Sequence, residues 1–269
     1  IGTNPSGVLM LGVRNDNKST PTTTDGKYSA LQLTKSGTVY TEPNILRCAF
    51  GEQVVSQKSP QLQYAFSTHI DPNLWNVGLD DTPLSGTVYV SDSMAIVDTG
   101  NTNELGTMTL SSIKRGVYHA GQGLMFQCSA EFNIVSGDRT NTISMIGYGT
   151  RVTDGFFFGY DGAVFGIFHY KSGNLVSFIE SSGWNRDTMD GTGPSGVTLD
   201  PSKGNIYFIQ MQFHYLGNIT FYIEVPNSTL PQVVHRIQWI NTRSGPTVTT
   251  GNLPLSVYVE KALTTNRIR

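Results

Sequence analysis

Residues 124–135 alternate between apolar and polar side chains, and this pattern constrains the fold more than any other stretch of the chain. Successive side chains of a β-strand point to opposite faces, so a period of two predicts a strand with one buried face. The same rule places alternate rings of Phe156-Phe157-Phe158 on opposite sides of a strand. The predicted core face of 124–135 consists of Leu124, Phe126, Cys128, Ala130, Phe132 and Ile134.

Further segments with strand patterns follow one another along the chain, separated by turns rich in Gly and Asp. These segments are 86–97, 142–150, 155–160, 163–171, 175–180, 205–213, 218–225, 232–240 and 253–260. Asp161-Gly162 and Gly217-Asn218 are hairpin-turn signals, and no segment keeps a helical period beyond one or two turns. Strands at this spacing predict an all-β fold, specifically a jelly-roll-like antiparallel β-sandwich.

The composition argues against a nucleic-acid partner, a membrane-spanning helix and a signal peptide at the start of the sequence. Lys and Arg total 18 and Asp and Glu total 20, so the net charge is -2, which does not suit a generally basic nucleic-acid binder. No run of about 18 apolar residues is present, so no membrane-spanning helix is expected. Residues 1–5 lack the basic and apolar regions of a signal peptide, and none is expected there.

The beginning of the chain differs from the rest. Short β-like pieces flank a loop at 15–26 that is rich in Asn, Thr and Pro, and together they are too small to bury a core of their own. We therefore predict an N-terminal assembly arm at 1–45, a β-sandwich at 46–262 and a C-terminal tail at 263–269. An arm of this kind gains order by adding strands to a neighbouring chain.

The residues predict no catalytic, cofactor-binding or metal site. The five histidines lack metal-ligand spacing, and Cys48 and Cys128 form no metal motif. We expect both cysteines to be buried free thiols, with a disulfide between them as the alternative. Glycoside hydrolysis needs paired carboxyls. A glycosidase on this scaffold would have to combine Glu180 with a loop aspartate such as Asp187.

A long loop at 181–204 interrupts the strands, and a loop of this length is either functional or packed as a cap. Trp184 has two interpretations. We favour a lid that plugs the open end of the sandwich. The alternative is an exposed ring that stacks on a sugar, and Arg186, Asp187 and Asp190 would then complete a glycan contact with Trp184.

Residues 11–42 contain a Val-Arg-x-Asp run, a Thr-rich loop, Asp-Gly-x-Tyr, a strand and a Gly turn. The pattern is carried by Val13, Arg14, Asp16, Asp25, Gly26, Tyr28, Leu31 and Gly37. This segment resembles a piece that recurs in structural proteins of tailed bacteriophages. The stretches 154–170 and 184–213 also look like a β-sandwich module of viral particle proteins.

The resemblance implies a non-enzymatic virion component: a capsid decoration or head fibre, or a tail or baseplate part. Its partners would be other virion proteins and further copies of itself, for example in a trimer, with no cofactor, nucleic acid or membrane. The assembly arm would use Val13, Arg14, Asp16, Asp25, Gly26 and Tyr28. The alternative hypothesis is a receptor- or glycan-binding adhesin on the same scaffold, and the third is the sandwich glycosidase.

Overall fold

The computed structural model describes residues 12–14, 31–33, 60–80, 86–99, 106–119, 122–132, 142–212, 216–226, 228 and 230–261. The chain divides into two compact units, Ile1–Ile45 and Leu46–Arg269. In the first unit, β1 (Gly12–Arg14) pairs in parallel with β2 (Leu31–Leu33). Of the six predicted arm residues, Val13 and Arg14 lie in β1. Those outside the described residues are Asp16, Asp25, Gly26 and Tyr28.

The described residues of the second unit form strands and one 3₁₀ turn, at Ser181–Gly183. The first six strands are β3 (Trp75–Asp80), β4 (Thr87–Ser91), β5 (Met94–Asp98), β6 (Gly106–Ser112), β7 (Leu124–Ala130) and β8 (Thr142–Gly149). The other seven are β9 (Gly155–Asp161), β10 (Val164–Lys171), β11 (Asn174–Glu180), β12 (Asn205–Met211), β13 (Ile219–Ile223), β14 (Gln232–Ile237) and β15 (Leu255–Lys261). The all-β prediction is confirmed.

Two antiparallel sheets form the jelly-roll-like sandwich. The large sheet has seven strands in the order β11-β10-β9-β8-β15-β6-β3, and the small sheet has four in the order β14-β13-β12-β7. β4 and β5 form a separate antiparallel hairpin. The last strand of the chain, β15, lies inside the large sheet, where it pairs with β8 on one side and β6 on the other.

The core between the sheets is aromatic. Phe158 of the large sheet lies 4.9 Å from Tyr207 and 5.4 Å from Phe221 of the small sheet, measured between ring centroids. Phe126 of β7 is buried in this core, and Leu124, Cys128, Ala130 and Phe132 pack against it. The predicted core face is thus confirmed as far as Phe132. Ile134 lies outside the described residues.

The strand at 124–135 ends earlier than its pattern predicts, at Ala130. The backbone N–H of Phe132 donates to the carbonyl of Pro201 at 2.9 Å, so the chain has left the ladder with β12 at this point. The sequence patterns also miss β3 and β6. β3 contains Asn76 and Gly78, residue types that strands disfavour, and β6 places Ser112 at a buried position where an apolar residue is expected.

Both predicted hairpins are found, although neither connection consists of just the two residues that the sequence marks. β9 and β10 pair across a two-residue turn at Gly162 and Ala163, because Asp161 is the last residue of β9 and lies opposite Val164. Gly162 has φ 60°, a left-handed conformation that glycine adopts freely. β12 and β13 also pair, and the Gln212 side chain accepts the backbone N–H of Asn218 at 2.7 Å in their connection. The described part of the chain holds no helix long and apolar enough to cross a membrane.

The large sheet is apolar on both faces, whereas a sandwich sheet with one solvent-facing side would be apolar on only one. Phe156 and Phe158 point into the core between the sheets, whereas Phe157 belongs to a second cluster on the opposite, outer face. This confirms the predicted alternation of the three rings. The outer-face cluster also contains Ile143, Met145, Phe168, Tyr170 and Tyr258.

Candidate functional site

The long loop is anchored by its tryptophan, as the lid interpretation expects. Trp184 is 4% exposed, and its indole N–H donates to the carbonyl of Ile179 at 3.3 Å. Its ring lies edge-on to Phe158 and Phe165, with centroids 6.3 and 6.2 Å away. The ring is therefore part of the core and offers no face to a sugar.

Asp187 is also buried, at 1% exposed. Its two carboxylate oxygens accept the backbone N–H groups of Met189 at 2.9 Å and Ser195 at 2.8 Å, so this side chain shapes the loop. Two of the four predicted glycan-contact residues are thus inaccessible, and we correct that set accordingly. Only Arg186 and Asp190 remain at the surface.

Asp190 closes a local turn. Its carboxylate accepts both the side-chain hydroxyl of Thr192 at 2.7 Å and the backbone N–H of Thr192 at 2.9 Å. These hydrogen bonds lower the pKa of Asp190. The arrangement is an ordinary Asx turn, which accounts for the residue without a ligand.

The start of the loop covers the outer strand of the small sheet. The Asn185 side chain accepts the backbone N–H of Arg236 at 2.9 Å and donates to the carbonyl of Arg236 at 2.8 Å. The backbone N–H groups of Arg186 and Asp187 both point to the carbonyl of Val234, at 3.2 and 3.1 Å. The loop therefore satisfies backbone groups that β14 would otherwise present at a free edge.

The described charged side chains converge most clearly on the outer face of the large sheet. Arg151 contacts both the Tyr258 hydroxyl and the Glu260 carboxylate through its Nη1 atom. The Tyr258 hydroxyl donates to Glu260 Oε2 at 3.0 Å and lies 3.3 Å from Thr107 Oγ1. We call Arg151, Tyr258, Glu260 and Thr107 the outer-face network.

Strand register explains why these residues meet. Glu260 of β15 lies opposite Thr107 of β6, and Tyr258 projects from the same face of β15 as Glu260. Arg151 follows β8, which ends at Gly149 with φ 124°. A Cβ atom on Gly149 would lie 2.1 Å from the Asp154 carbonyl, so only glycine permits the tight turn that carries Arg151.

The electrostatics keep the Tyr258 hydroxyl and the Arg151 guanidinium protonated near neutral pH. Burial raises the pKa of Tyr258 to about 12, so its hydroxyl keeps the proton that it donates to Glu260. Burial alone would lower the pKa of Arg151, but Tyr258 and Glu260 raise it, and the net shift is upward. The guanidinium therefore stays charged, and its centre lies 5.1 Å above the Tyr258 ring.

Of the described histidines, His169 and His235 are buried in structural contacts, whereas His69 and His119 are exposed. Burial lowers the pKa of His169, whose Nε2 lies 2.9 Å from the Thr247 carbonyl. Burial and Arg186 together lower the pKa of His235 to about 4, and its Nδ1 accepts the backbone N–H of Asn185 at 3.2 Å. Within the described ranges, no group of three or more His, Cys, Asp or Glu could hold a metal ion.

Cys128 and Asp154 are two further groups whose chemistry could matter. Cys128 is a free thiol, as expected, but it is half-buried rather than fully buried. Cys48 lies outside the described residues. Asp154, a carboxylate that the sequence patterns do not single out, is fully buried. It accepts the backbone N–H groups of Ser172, Thr249 and Thr250. It ties two loops together and has a structural role.

Comparison with known proteins shows only remote similarity. No protein-family model matches the chain, and no curated protein sequence matches it. A β-glucanase of Bacillus licheniformis is 10% identical with a TM-score of 0.39, over 72% of this chain and 86% of that one. The carbohydrate recognition domain of Emp46p is 9% identical with a TM-score of 0.39, over 74% and 89%. The exoplasmic/lumenal domain of VIP36, in a Ca²⁺- and mannose-bound form, is 8% identical with a TM-score of 0.35, over 72% and 86%. At these values, function has to be argued from the residues of this chain.

Proposed function

We propose that the protein is a non-enzymatic component of a viral particle, in which residues 1–45 mount the chain and the β-sandwich is displayed. The observation that carries the proposal is the division into a small unit at Ile1–Ile45 and a large sandwich unit. The resemblance of residues 11–42 to tailed-phage structural proteins supports the same roles for the two units. The part of the particle that carries the chain would be a capsid, a tail or a baseplate.

We further propose that the displayed sandwich binds a glycan on the host surface. The supporting observation is the outer-face network, where Glu260 stands on β15 and Arg151 on the tight turn that follows β8, and both side chains are partly exposed. The glycosidase hypothesis with Glu180 and Asp187 has less support, because both Asp187 oxygens already accept backbone N–H groups. A catalytic carboxylate must be free to exchange protons or attack.

The mounting role is tested by removing residues 1–45 and asking whether the protein still joins particles. We expect the truncated chain to keep its circular dichroism spectrum and cooperative melting but to be absent from purified particles. Removal of the tail, residues 263–269, is the matched control and should leave incorporation unchanged. Particles that still contain the chain lacking 1–45, or a truncated chain that unfolds, would contradict the proposal.

A further inference from the structure

We propose that the outer-face network binds an uncharged saccharide through a vicinal diol. The inference rests on the glycan-binding part of the proposed function and names its site and ligand chemistry. The site lies on β15, β6 and the turn after β8, away from the loop at 181–204 that the sequence suggests.

The network leaves hydrogen-bonding groups for a ligand. Glu260 receives its bonds from Tyr258 and Arg151 on one oxygen, Oε2, and its Oε1 accepts no hydrogen bond from the described residues. Arg151 reaches Tyr258 and Glu260 through Nη1 alone. A guanidinium carries five N–H groups, so donors remain even after a bond to the neighbouring Tyr170.

These groups are reachable from solvent. The Arg151 side chain is 33% exposed and the Glu260 side chain 19%. Tyr258, by contrast, is buried and fixes the positions of both charged groups. An acceptor and a set of donors therefore stand side by side at the surface on a preorganised support, which reduces the entropy lost on binding.

A vicinal diol complements this arrangement. One hydroxyl can donate to Glu260 Oε1 while its neighbour accepts from the Arg151 guanidinium, and both bonds are charge-assisted. The positive charge of Arg151 is offset by Glu260, and Asp161 also acts electrostatically on Tyr170 beside them. An anionic ligand would meet the Glu260 carboxylate at close range, so the network favours an uncharged sugar over a phosphate or an acidic sugar.

The first experiment maps binding on the unmodified full-length protein. D-mannose, D-glucose and D-galactose serve as uncharged probes, and N-acetylneuraminic acid serves as the anionic probe. We expect amide NMR shifts with at least one uncharged probe, concentrated at residues 150–152 and 256–261, and weaker shifts with the anionic probe. Shifts confined to 181–204, or stronger binding of the anionic sugar, would overturn the inference.

The second experiment uses Arg151→Lys, which keeps the charge but loses the planar fork, and Glu260→Gln, which replaces a charged acceptor by a neutral one. Each should weaken binding of the mapped sugar by about tenfold or more. The matched controls Arg186→Lys and Asp190→Asn change exposed charges of the same types in the long loop. They should bind like the wild type, and melting curves should show that all four variants are folded.

A binding assay on host cells distinguishes an error in the assigned site from an error in the glycan-binding function. If the wild type and a folded Arg151→Lys variant bind cells equally well, the site is wrong while glycan binding stands. If the wild type binds neither cells nor any probe sugar, the glycan-binding function fails together with the site. Loss of cell binding in both network variants, but in neither control, supports the inference.

Discussion

At the scale of single residues, His235 links the stability of the long loop to pH. Its Nδ1 must be unprotonated to accept the Asn185 N–H at 3.2 Å. Burial, together with the charge of Arg186, lowers its pKa from 6.5 to about 4. Because the folded-state pKa is depressed, the unfolded chain binds the proton more readily. Stability is therefore complete above pH 6.5 and declines as the pH falls towards 4.

We expect protonation of His235 to lower the free energy of unfolding by about 2 kcal/mol when the pH falls from 7.5 to 4. This value allows for partial solvent screening of the pKa shift. Urea unfolding at the two pH values measures this loss. In His235→Gln the acid-induced loss should shrink, because no proton binds at that position. His69→Gln replaces an exposed histidine and should keep the wild-type pH dependence. Equal losses in the wild type and His235→Gln would refute the assignment.

Trp184 is the second residue with a testable energetic role. Its ring is 4% exposed and contacts Phe158 and Phe165, so Trp184→Ala should lower the free energy of unfolding by about 3–5 kcal/mol. Chemical denaturation measures the change. Trp184→Phe keeps part of the aromatic volume and should cost less, and Val152→Ala at an exposed site should cost almost nothing. A loss below about 1 kcal/mol for Trp184→Ala would mean that the loop needs no anchor.

At the scale of secondary-structure elements, the most informative contact joins the long loop to β14. β14 is an outer strand of the small sheet, and Asn185 pairs with both the N–H and the carbonyl of Arg236. An amide side chain thereby takes the place of a neighbouring strand. Outer strands left unpaired are sites of association between molecules, so the loop also protects the protein from self-pairing.

Asn185→Ala should remove both hydrogen bonds and lower the free energy of unfolding by about 1–3 kcal/mol. The more specific result is faster hydrogen exchange at the Arg236 amide, together with a concentration-dependent dimer in size-exclusion chromatography. Asn174→Ala is the control, because the Asn174 side chain bonds only locally, to the Ser172 carbonyl at 3.1 Å. An Arg236 amide as protected in Asn185→Ala as in the wild type would show that other groups hold the loop in place.

At the scale of the whole molecule, the end of the chain completes the large sheet. β15 lies between β8 and β6, so the sheet is incomplete until the last described strand is inserted. Its partners on either side belong to segments far earlier in the chain. Ordering such contacts has a loop-closure cost, and folding should be slow and cooperative for that reason.

A chain that stops before residue 255 should therefore fail to fold, since β8 and β6 would each lose a full ladder of backbone hydrogen bonds. Circular dichroism should show no cooperative thermal transition. A chain that stops after residue 262 keeps β15 and serves as the control, and it should melt like the full-length protein. Cooperative melting of the shorter chain would mean that the sheet can close without β15.

Local patterns in the sequence are sufficient for much of the strand content and for its turns. The alternation of 124–132, the opposite directions of Phe157 and its two neighbours, and the Gly162 turn each depend on residues adjacent in the chain. The preferred role of Trp184 as a lid also follows from local composition, because its loop has few other large side chains. These features were predictable since period and turn chemistry are short-range properties.

The tertiary structure alone decided which strands pair and which side chains meet. No local pattern places β15 between β8 and β6, and none brings Arg151 to Glu260, which lies 109 positions later in the chain. The burial of both faces of the large sheet and the pairing of Asn185 with β14 are equally non-local. The physical reason is that the alternating pattern of the sequence fixes only the direction in which each side chain points. Its neighbours are set by strand order and register, which depend on how all the apolar faces are buried together.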